Sequence, residues 1–322
     1  IIYIKHLKGA IQMIGDMQKW TPNVAGIIEH AREIHPKTEI ISRLVSGEIH
    51  RSNYEKVCIR SRKLASALEK DGVKKGDVIA TLALNTYRHL EMYYGISGMG
   101  AITHTLNFRL HPEQAVYIIN HAEDKIIFVE LPFVPILEAL QENLKTVEKY
   151  VVLCEVDEMP ETTLKNAISY EEYIQDGDEN YSWPTLEDDA ACALCYTSGT
   201  TGNPKGVLYS HKSNVIHAQA ALTAMTIKPD DTILMVVPLF HVLAWGIPYF
   251  GPMNGLKLVM PGMQMEGEPL FELIDQEDVT LAFGVPTIWM GLLAYCRDNN
   301  KILSSVKNTI IGGSALSLAT LQ

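Results

Sequence analysis

Short, almost uninterrupted apolar runs alternate with helical patterns through most of this chain. Residues 78–84 form one such run, and a strand is apolar on both sides only where both of its faces are covered. Segments with the apolar period of a helix, such as residues 53–70, separate the runs. Alternation of this kind is typical of βαβ units. The sequence therefore predicts an α/β fold with two βαβ-type, mostly parallel sheets and flanking helices.

The elements that this pattern predicts begin at residue 53. The strands are expected at residues 78–84, 101–106, 126–130, 150–154, 190–196, 207–211, 232–237, 257–260, 279–283 and 309–312. The helices are expected at residues 53–70, 86–99, 112–121, 134–144, 170–174, 213–225, 242–253, 269–276 and 287–297. A polar stretch with two prolines interrupts the alternation. We therefore predict a first α/β subdomain, a connecting segment and a second α/β subdomain at residues 1–155, 156–189 and 190–322.

Composition excludes some classes of protein. The 322 residues are 47% hydrophobic and 20% charged, which is ordinary for a globular protein. A formal net charge of -11 argues against a nucleic-acid-binding protein. No apolar run approaches the ~20 residues that a transmembrane helix needs. We expect a cytoplasmic protein with small-molecule partners, no nucleic-acid partner and no transmembrane segment.

Two of the five cysteines, Cys192 and Cys195, form a C-x-x-C motif. Such a motif is compatible with a redox or zinc site. Here it lies in the apolar run at residues 190–196, and residues i and i+3 of a strand point to opposite faces. We therefore expect buried, reduced thiols rather than metal ligands.

Residues 197–206 have the composition of a phosphate-binding loop. They read Thr-Ser-Gly-Thr-Thr-Gly-Asn-Pro-Lys-Gly. Glycine lets the backbone approach an anion closely, while hydroxyls, free N–H groups and Lys205 offer donors and positive charge. A flexible linker is the alternative, but a linker does not need Lys-Gly leading directly into an apolar strand. The pattern is not a Walker P-loop, which places Gly before the lysine and Ser or Thr after it.

This loop resembles the signature of the adenylate-forming superfamily, which includes acyl-CoA synthetases, luciferases and peptide-synthetase adenylation domains. Other stretches fit the same family in the same order. They are Thr105–Gln114 with Asn120–Asp124, Pro238-Leu-Phe-His-Val-Leu-Ala-Trp-Gly-Ile-Pro248, Gly284-Val-Pro-Thr-Ile-Trp289 and Ile310-Ile-Gly-Gly-Ser-Ala315. The match is closest to medium- and long-chain fatty acyl-CoA ligases, and it covers the N-terminal part of that family. We interpret Thr105–Gln114 as structural, because none of its residues has an obvious role at a phosphate.

The resemblance implies an activity with ATP, Mg2+ and coenzyme A: a fatty acid is converted to acyl-AMP and then to acyl-CoA. It implies catalytic roles for Lys205 and His241, and a metal-ligand role for Thr197. Nucleotide-binding residues are then Thr197, Ser198, Gly199, Thr200, Thr201, Gly202, Lys205, Gly312, Gly313, Ser314 and Ala315. Acid-binding residues are His241, Trp245, Val285 and Pro286. His241 and Trp245 are four residues apart, so on the predicted helix they would share one face. Histidine in place of the aspartate found in amino-acid-activating relatives favours a plain carboxylic acid.

The resemblance also implies what this chain lacks. The family's second magnesium ligand, ribose-binding aspartate, hinge and C-terminal lid domain would all follow Gln322, so we predict a truncated domain that is inactive alone. Two alternatives stay open: an aryl or short-chain acid–CoA ligase, and a non-catalytic nucleotide- or acyl-binding module. Similarity to this family also suggests a homodimer, and a fatty-acid substrate suggests peripheral association with a membrane.

Overall fold

The computed structural model describes residues 4–7, 10–13, 20–187, 189–197 and 203–314. Within these ranges lie ten α helices and fifteen strands. The helices are α1 Val24–Ile34, α2 Tyr54–Lys70, α3 Tyr87–Gly98, α4 Pro112–Ala122, α5 Val134–Leu140, α6 Tyr170–Gln175, α7 His211–Ala224, α8 Ile247–Met253, α9 Gly267–Gln276 and α10 Pro286–Asp298. The strands are β1 Ile4–Leu7, β2 Ala10–Met13, β3 Glu39–Arg43, β4 Ile49–Asn53, β5 Val78–Leu82, β6 Ile102–Thr105, β7 Ile126–Val129, β8 Lys149–Val152, β9 Ala167–Ser169, β10 Ala191–Thr197, β11 Lys205–Ser210, β12 Thr232–Met235, β13 Lys257–Met260, β14 Leu281–Gly284 and β15 Asn308–Ile311.

Two large sheets confirm the predicted α/β class. The first has seven strands in the order β11-β10-β6-β5-β7-β8-β9, and only the β10–β11 pair is antiparallel. The second has six strands in the order β15-β14-β12-β13-β3-β4, and only the β3–β4 pair is antiparallel. A separate antiparallel hairpin joins β1 and β2. The strands and helices expected from residue 53 onward are present, whereas α1, β1 to β4 and β9 were not predicted.

Each large sheet takes strands from both halves of the chain. Strands β10 and β11, which follow the polar connecting stretch, extend the first sheet, and β3, near the start of the chain, pairs with β13 of the second sheet. Pairing between strands distant in sequence has no local signature, so the apolar pattern could not assign strands to sheets. The sheets therefore do not follow the expected division at residues 155 and 190, which stays a prediction about domain boundaries.

Helix α3 joins the two sheets. All of its residues are buried, and it contacts β5, β6 and β10 of the first sheet and β3 of the second. Two of its tyrosines donate hydrogen bonds to the second half of the chain, Tyr93 to the carbonyl of Leu239 and Tyr94 to that of Pro248. Because Tyr and Trp are normally hydrogen-bonded when buried, these hydroxyls fix how α3 sits against residues 239–248.

The predicted helix at 242–253 is wrong in its first half. The α helix begins only at Ile247, with Pro248 in its first turn. Residues 242–246 form a short turn in which Leu243, Ala244 and Trp245 have φ values of 44°, 48° and 55°. These are left-handed angles that L-residues seldom adopt in succession. The apolar side chains of this segment match a helical period, but their backbone winds in the opposite sense.

Candidate functional site

The root of the phosphate loop is an antiparallel hairpin. In the register of β10 and β11, Thr197 faces Lys205 and Tyr196 faces Gly206. The Thr197 hydroxyl donates to the carbonyl of Lys205 at 3.5 Å, and both residues are exposed. A Cβ on Gly206 would lie 3.2 Å from the ring carbon Cζ of Tyr196, so this glycine permits the close approach of the two strands. Strand β11 starts at Lys205, two residues earlier than predicted.

The crown of the loop cannot be compared with its prediction. Ser198, Gly199, Thr200, Thr201 and Gly202 lie outside the described residues, as does Ala315 at the other end of the candidate site.

His241 lies at the carboxyl side of β12, where parallel sheets commonly bind ligands. Its N–H donates to the carbonyl of Pro238 at 3.0 Å, and its own carbonyl accepts from the N–H of Ala244 at 2.9 Å. The side chain is exposed and lines a cavity of about 200 Å³ together with Thr197 and Pro204. The structure thus brings together the histidine and the loop root that the sequence placed 44 residues apart.

The same cavity has a wall that was not predicted to be part of the site. Asn107, Leu110 and Gln114 line it, and all three belong to the segment that we interpreted as purely structural. Phe108 of this segment also packs edge-on against Phe240, with 4.8 Å between ring centroids. The segment therefore contributes to the site both as a wall and as a support for the residue before His241.

Trp245 does not share a helical face with His241, because the residues between them wind to the left. Its ring instead lies against Gly312, where an added Cβ would be 2.8 Å from the indole carbon Cη2. The next residue, Gly313, has a φ of +87°, and a Cβ added to it would lie 3.1 Å from Cγ1 of Val285. Three separately predicted motifs therefore meet here, since Val285 caps α10, Trp245 ends the left-handed turn and Gly312 follows β15.

The remaining predicted residues of this region frame the same junction. Pro286 is the first residue of α10 and is buried, and Val285 is 36% exposed. Ser314 is exposed at the end of the described chain. Gly313 is also exposed, whereas Gly312 is partly buried against the indole of Trp245.

A second, larger cavity is lined in part by Trp245. Its volume is about 470 Å³ and its lining is mostly apolar. The lining residues come from β11, α7, Met225 and the left-handed turn: Tyr209, Ser213, Asn214, His217, Met225, Val242, Leu243, Trp245 and Gly246. Sequence reasoning placed the acid-binding wall at Val285 and missed helix α7. The sequence of α7 did not reveal that it lines a cavity, because a helix face beside a cavity can have the same side chains as a helix face packed against another element.

The two cavities share Tyr209 and Val242, so the turn at 241–246 separates them. Four consecutive non-glycine residues of this turn, Val242 to Trp245, have positive φ. Backbone strain of this kind costs about 1–3 kcal/mol per residue and concentrates at functional sites. The strained turn is the structural centre of the candidate site.

Tyr196, directly before Thr197, is held by two histidines. Its hydroxyl lies 2.6 Å from Nδ1 of His121, and its ring is 5.1 Å from that of the fully buried His104. His104 Nδ1 is in turn 2.8 Å from a carboxylate oxygen of the buried Asp124. Burial raises the pKa of Tyr196 to about 12, so its phenol stays protonated and can hydrogen-bond at the loop root.

The C-x-x-C cysteines are buried thiols, as expected. Cys192 Sγ accepts from the side-chain amide of Asn214 at 3.1 Å, while Cys195 Sγ lies 3.3 Å from the hydroxyl of Thr105. Burial raises the pKa of Cys192 to about 12 and that of Cys195 above its usual range. Both cysteines are free, as are the other three.

Two other kinds of site are absent from the described part of the chain. Within it, no three His, Cys, Asp or Glu side chains are grouped so that they could hold a metal ion. The same residues include no helix that is both long and apolar enough to cross a membrane.

Comparison with known proteins identifies the family. The model of the AMP-binding enzyme family matches residues 28–322. A medium-chain-fatty-acid–CoA ligase of Ectopseudomonas oleovorans is 45% identical over 305 residues, which are 94% of this chain and 56% of that protein. A long-chain-fatty-acid–CoA ligase of Thermus thermophilus is 40% identical over 295 residues, 91% of this chain and 53% of that protein. The chain thus spans little more than half the length of these relatives.

The fold comparison agrees. The crystal structure of the anthranilate CoA ligase AuaEII in complex with anthranoyl-AMP superposes with a TM-score of 0.84, at 22% identity, over 94% of this chain and 57% of that one. The N-terminal domain of FACL13 from Mycobacterium tuberculosis, in an inhibitor-bound crystal structure, gives 0.80 at 23% identity over 93% and 72%. The architecture is therefore that of an acyl-CoA ligase N-terminal domain, and the chain belongs to the AMP-binding enzyme family.

Proposed function

We propose that this chain is the acid- and nucleotide-binding part of an AMP-forming ligase that converts a medium- or long-chain fatty acid to acyl-AMP and then to acyl-CoA. One observation carries the proposal: the turn at 241–246 has the root of a phosphate loop on one side and a mostly apolar cavity on the other. A fatty acid has a charged head and an apolar chain, and the site offers a matching pair of environments. The names of the relatives at 45% and 40% identity support the same class of substrate.

In the first step, a carboxylate oxygen of the fatty acid attacks the α-phosphorus of ATP, and pyrophosphate leaves. A carboxylic acid is already ionised at neutral pH, so this step needs no general base. It needs alignment of the two reactants and compensation of the negative charge on the phosphates. Lys205 and the loop from Thr197 to Gly202 would supply donors and charge on the phosphate side.

Magnesium, when bound, would supply positive charge that offsets the negative charge of the phosphates. Thr197 fits a role as one oxygen ligand, because its side chain is exposed and the hydrogen bond from its hydroxyl to the Lys205 carbonyl is long at 3.5 Å.

The acid would bind with its head at His241 and its chain beyond Trp245. His241 faces the cavity that Thr197 also lines, so its ring can hydrogen-bond a carboxylate that points towards the α-phosphate. Trp245 lines the larger cavity, and its indole would have to admit the chain. Val285 and Pro286 would wall the opposite side of the head group.

The adenine would bind at the predicted residues Gly312, Gly313, Ser314 and Ala315. Gly313 and Ser314 are exposed, and Gly313 has no side chain to keep a flat ring from its backbone. In the second step the sulfur of coenzyme A would attack the acyl carbonyl carbon and AMP would leave, while the thiol proton is released.

Other predictions about the protein stay proposals. They are the division at residues 1–155, 156–189 and 190–322, formation of a homodimer, a cytoplasmic location with peripheral membrane association, and inactivity of the 322-residue chain alone.

Acid-dependent ATP–pyrophosphate exchange by the full-length gene product, measured with saturated acids of rising chain length and with aryl acids, tests the proposal. We expect saturated medium or long chains to be preferred, and His241→Ala to lower exchange by about 100-fold. His30→Ala is the matched control, since His30 is an exposed histidine on α1 outside the site, and it should leave exchange unchanged.

Three results would contradict the proposal. Preference for aryl or short acids would assign a different substrate class. Tight acyl binding with no adenylate formed would make the protein a binding module. Exchange that does not depend on His241 would place the acid elsewhere.

A further inference from the structure

A single buried side chain, that of Asn85, holds the segment that leads to His241. Asn85 follows β5 of the seven-stranded sheet and is 4% exposed. Its Nδ2 donates to the carbonyls of Met235 and Val237 at 2.7 and 2.8 Å. Its Oδ1 accepts from the N–H of Leu239 at 2.8 Å.

These three bonds engage both N–H groups and the oxygen of the Asn85 side-chain amide. Successive residues of an extended segment alternate in direction, so the backbone groups of residues 235, 237 and 239 can face one side. Strand β12 ends at Met235, and the backbone beyond it needs partners outside the sheet because buried backbone groups are rarely left unpaired. A carboxamide offers two donors and an acceptor on one planar group, which an aspartate of the same size does not.

Two more residues from the same side of the molecule hold the next positions. Tyr93 of α3 donates to the carbonyl of Leu239, and Thr105 at the end of β6 donates to the carbonyl of Phe240 at 3.3 Å. The N–H of His241 then bonds Pro238 within the segment. The backbone that carries His241 follows β12 of the six-stranded sheet, but its anchors belong to the seven-stranded sheet and α3.

We propose that Asn85 is a positioning residue for His241: it fixes the backbone of residues 235–239 and thereby aims the imidazole at the cavity that Thr197 lines. This inference rests on the proposed role of His241 as the contact of the substrate carboxylate. Asn85 itself is not on the wall of either cavity and touches no reacting group. Its loss should therefore affect the acid and leave ATP unaffected.

Asn85→Asp is the sharpest variant, because it keeps the size and the acceptor for Leu239 but removes both donors. Asn120→Asp is the matched control. Asn120 also donates to a backbone carbonyl, that of Asn143 at 2.9 Å, and accepts from the N–H of Lys145 at 2.8 Å, but on α4 away from His241. Tyr93→Phe removes only one hydroxyl and serves if Asn85→Asp does not fold.

The first measurement is hydrogen exchange of the amides in residues 236–244 by mass spectrometry. Faster exchange of this segment in Asn85→Asp, with no change in Asn120→Asp, is the expected result. Tyr93→Phe should give a smaller change in the same segment. Unchanged exchange in the folded Asn85→Asp or Tyr93→Phe protein would overturn the inference, whether or not the protein is a ligase.

The second measurement is ATP–pyrophosphate exchange in the full-length gene product. Displacing a binding group by a fraction of an ångström should raise the KM for the acid by at least about tenfold, while the KM for ATP stays the same. In a His241→Ala background, Asn85→Asp should have no additional effect. An equal loss for ATP and the acid, or an undiminished effect without His241, would overturn the positioning role. A wild-type protein that shows no exchange with any acid would refute the proposed function instead, and the amide-exchange result would then decide the role of Asn85.

Discussion

Replacing Gly284 or Gly312 by alanine should have different consequences, although the chemical change is the same. Gly284 ends β14, and an added Cβ would lie 2.8 Å from Cγ2 of Val236 and 2.9 Å from Cζ2 of Trp289. Each distance is at least about 0.6 Å shorter than a ~3.5 Å carbon–carbon contact. Val236 and Trp289 are 3% and 6% exposed, so neither can move into solvent. Overpacking of this kind costs about 1–3 kcal/mol, which is the loss we expect in Gly284→Ala.

At Gly312 the added Cβ would instead meet one side chain, at 2.8 Å from Cη2 of Trp245. Trp245 is only partly buried and lines the larger cavity, so its indole can shift. The φ of Gly312 is not in the left-handed region, so alanine adds no backbone strain there. We expect Gly312→Ala to cost less than about 1 kcal/mol of stability but to move the indole of Trp245.

Urea unfolding followed by circular dichroism measures the loss of unfolding free energy. The movement of the indole in Gly312→Ala is measured as a change in tryptophan emission that is absent in a Trp245→Phe background. Gly291→Ala is the control, because Gly291 is exposed on α10 with nothing within 4 Å of an added Cβ. Helix propensity predicts that it stabilises the protein by about 0.5–1 kcal/mol. Equal unfolding free energies for Gly284→Ala and Gly312→Ala would refute the reasoning, as would an emission change in Gly312→Ala that persists without Trp245.

Two further predictions concern buried charge. Burial lowers the pKa of His89 from 6.5 to about 4, so the stability that its neutral ring provides is complete above pH 6.5 and is lost as the pH falls towards 4. Between pH 7 and 4 the wild type should lose about 3 kcal/mol more unfolding free energy than His89→Gln, and equal pH dependence would contradict this. His211, whose pKa burial also lowers to about 4, is present in both proteins. Glu277→Gln should cost about 1–3 kcal/mol, since its 3% exposed carboxylate pairs with Arg51. Glu39→Gln, at 44% exposure opposite the same arginine, should cost under about 1 kcal/mol in urea unfolding, and equal losses would be inconsistent with burial as the cause.

The elements that could be predicted from sequence are those whose burial produces a local pattern of apolar residues. Strands β5 and β7 are covered on both faces and appear as apolar runs. Strand β3 has a charged residue at each end and β4 has Arg51 in its middle; neither was predicted, although β3 is buried in the second sheet. Sheet order depended on pairs such as β13 with β3, which are more than 200 residues apart. No window of sequence contains such a pair.

The candidate site shows the same limit. Motif resemblance indicated Thr197, His241, Trp245 and Gly312, and the structure brings them into one region through two cavities and one close contact. The resemblance could not show the conformation between His241 and Trp245. A helical period in side chains does not reveal the sign of φ, and Gly246 was the only residue of the turn suited to it in advance.

The energetic cost of the left-handed turn can be compared with the stabilisation that its anchoring hydrogen bonds provide. Four L-residues with positive φ, Val242 to Trp245, cost about 4–8 kcal/mol at 1–2 kcal/mol each. Five side-chain hydrogen bonds hold the segment just before them, three from Asn85 and one each from Tyr93 and Thr105. At about 0.5–1.5 kcal/mol each, these contribute a comparable amount. A strained backbone conformation persists where the surrounding structure holds it in place. Here the restraining side chains come from the seven-stranded sheet and α3. The strain is thus confined to the boundary between the phosphate-loop cavity and the apolar cavity, where an acid's carboxylate would have to be held still.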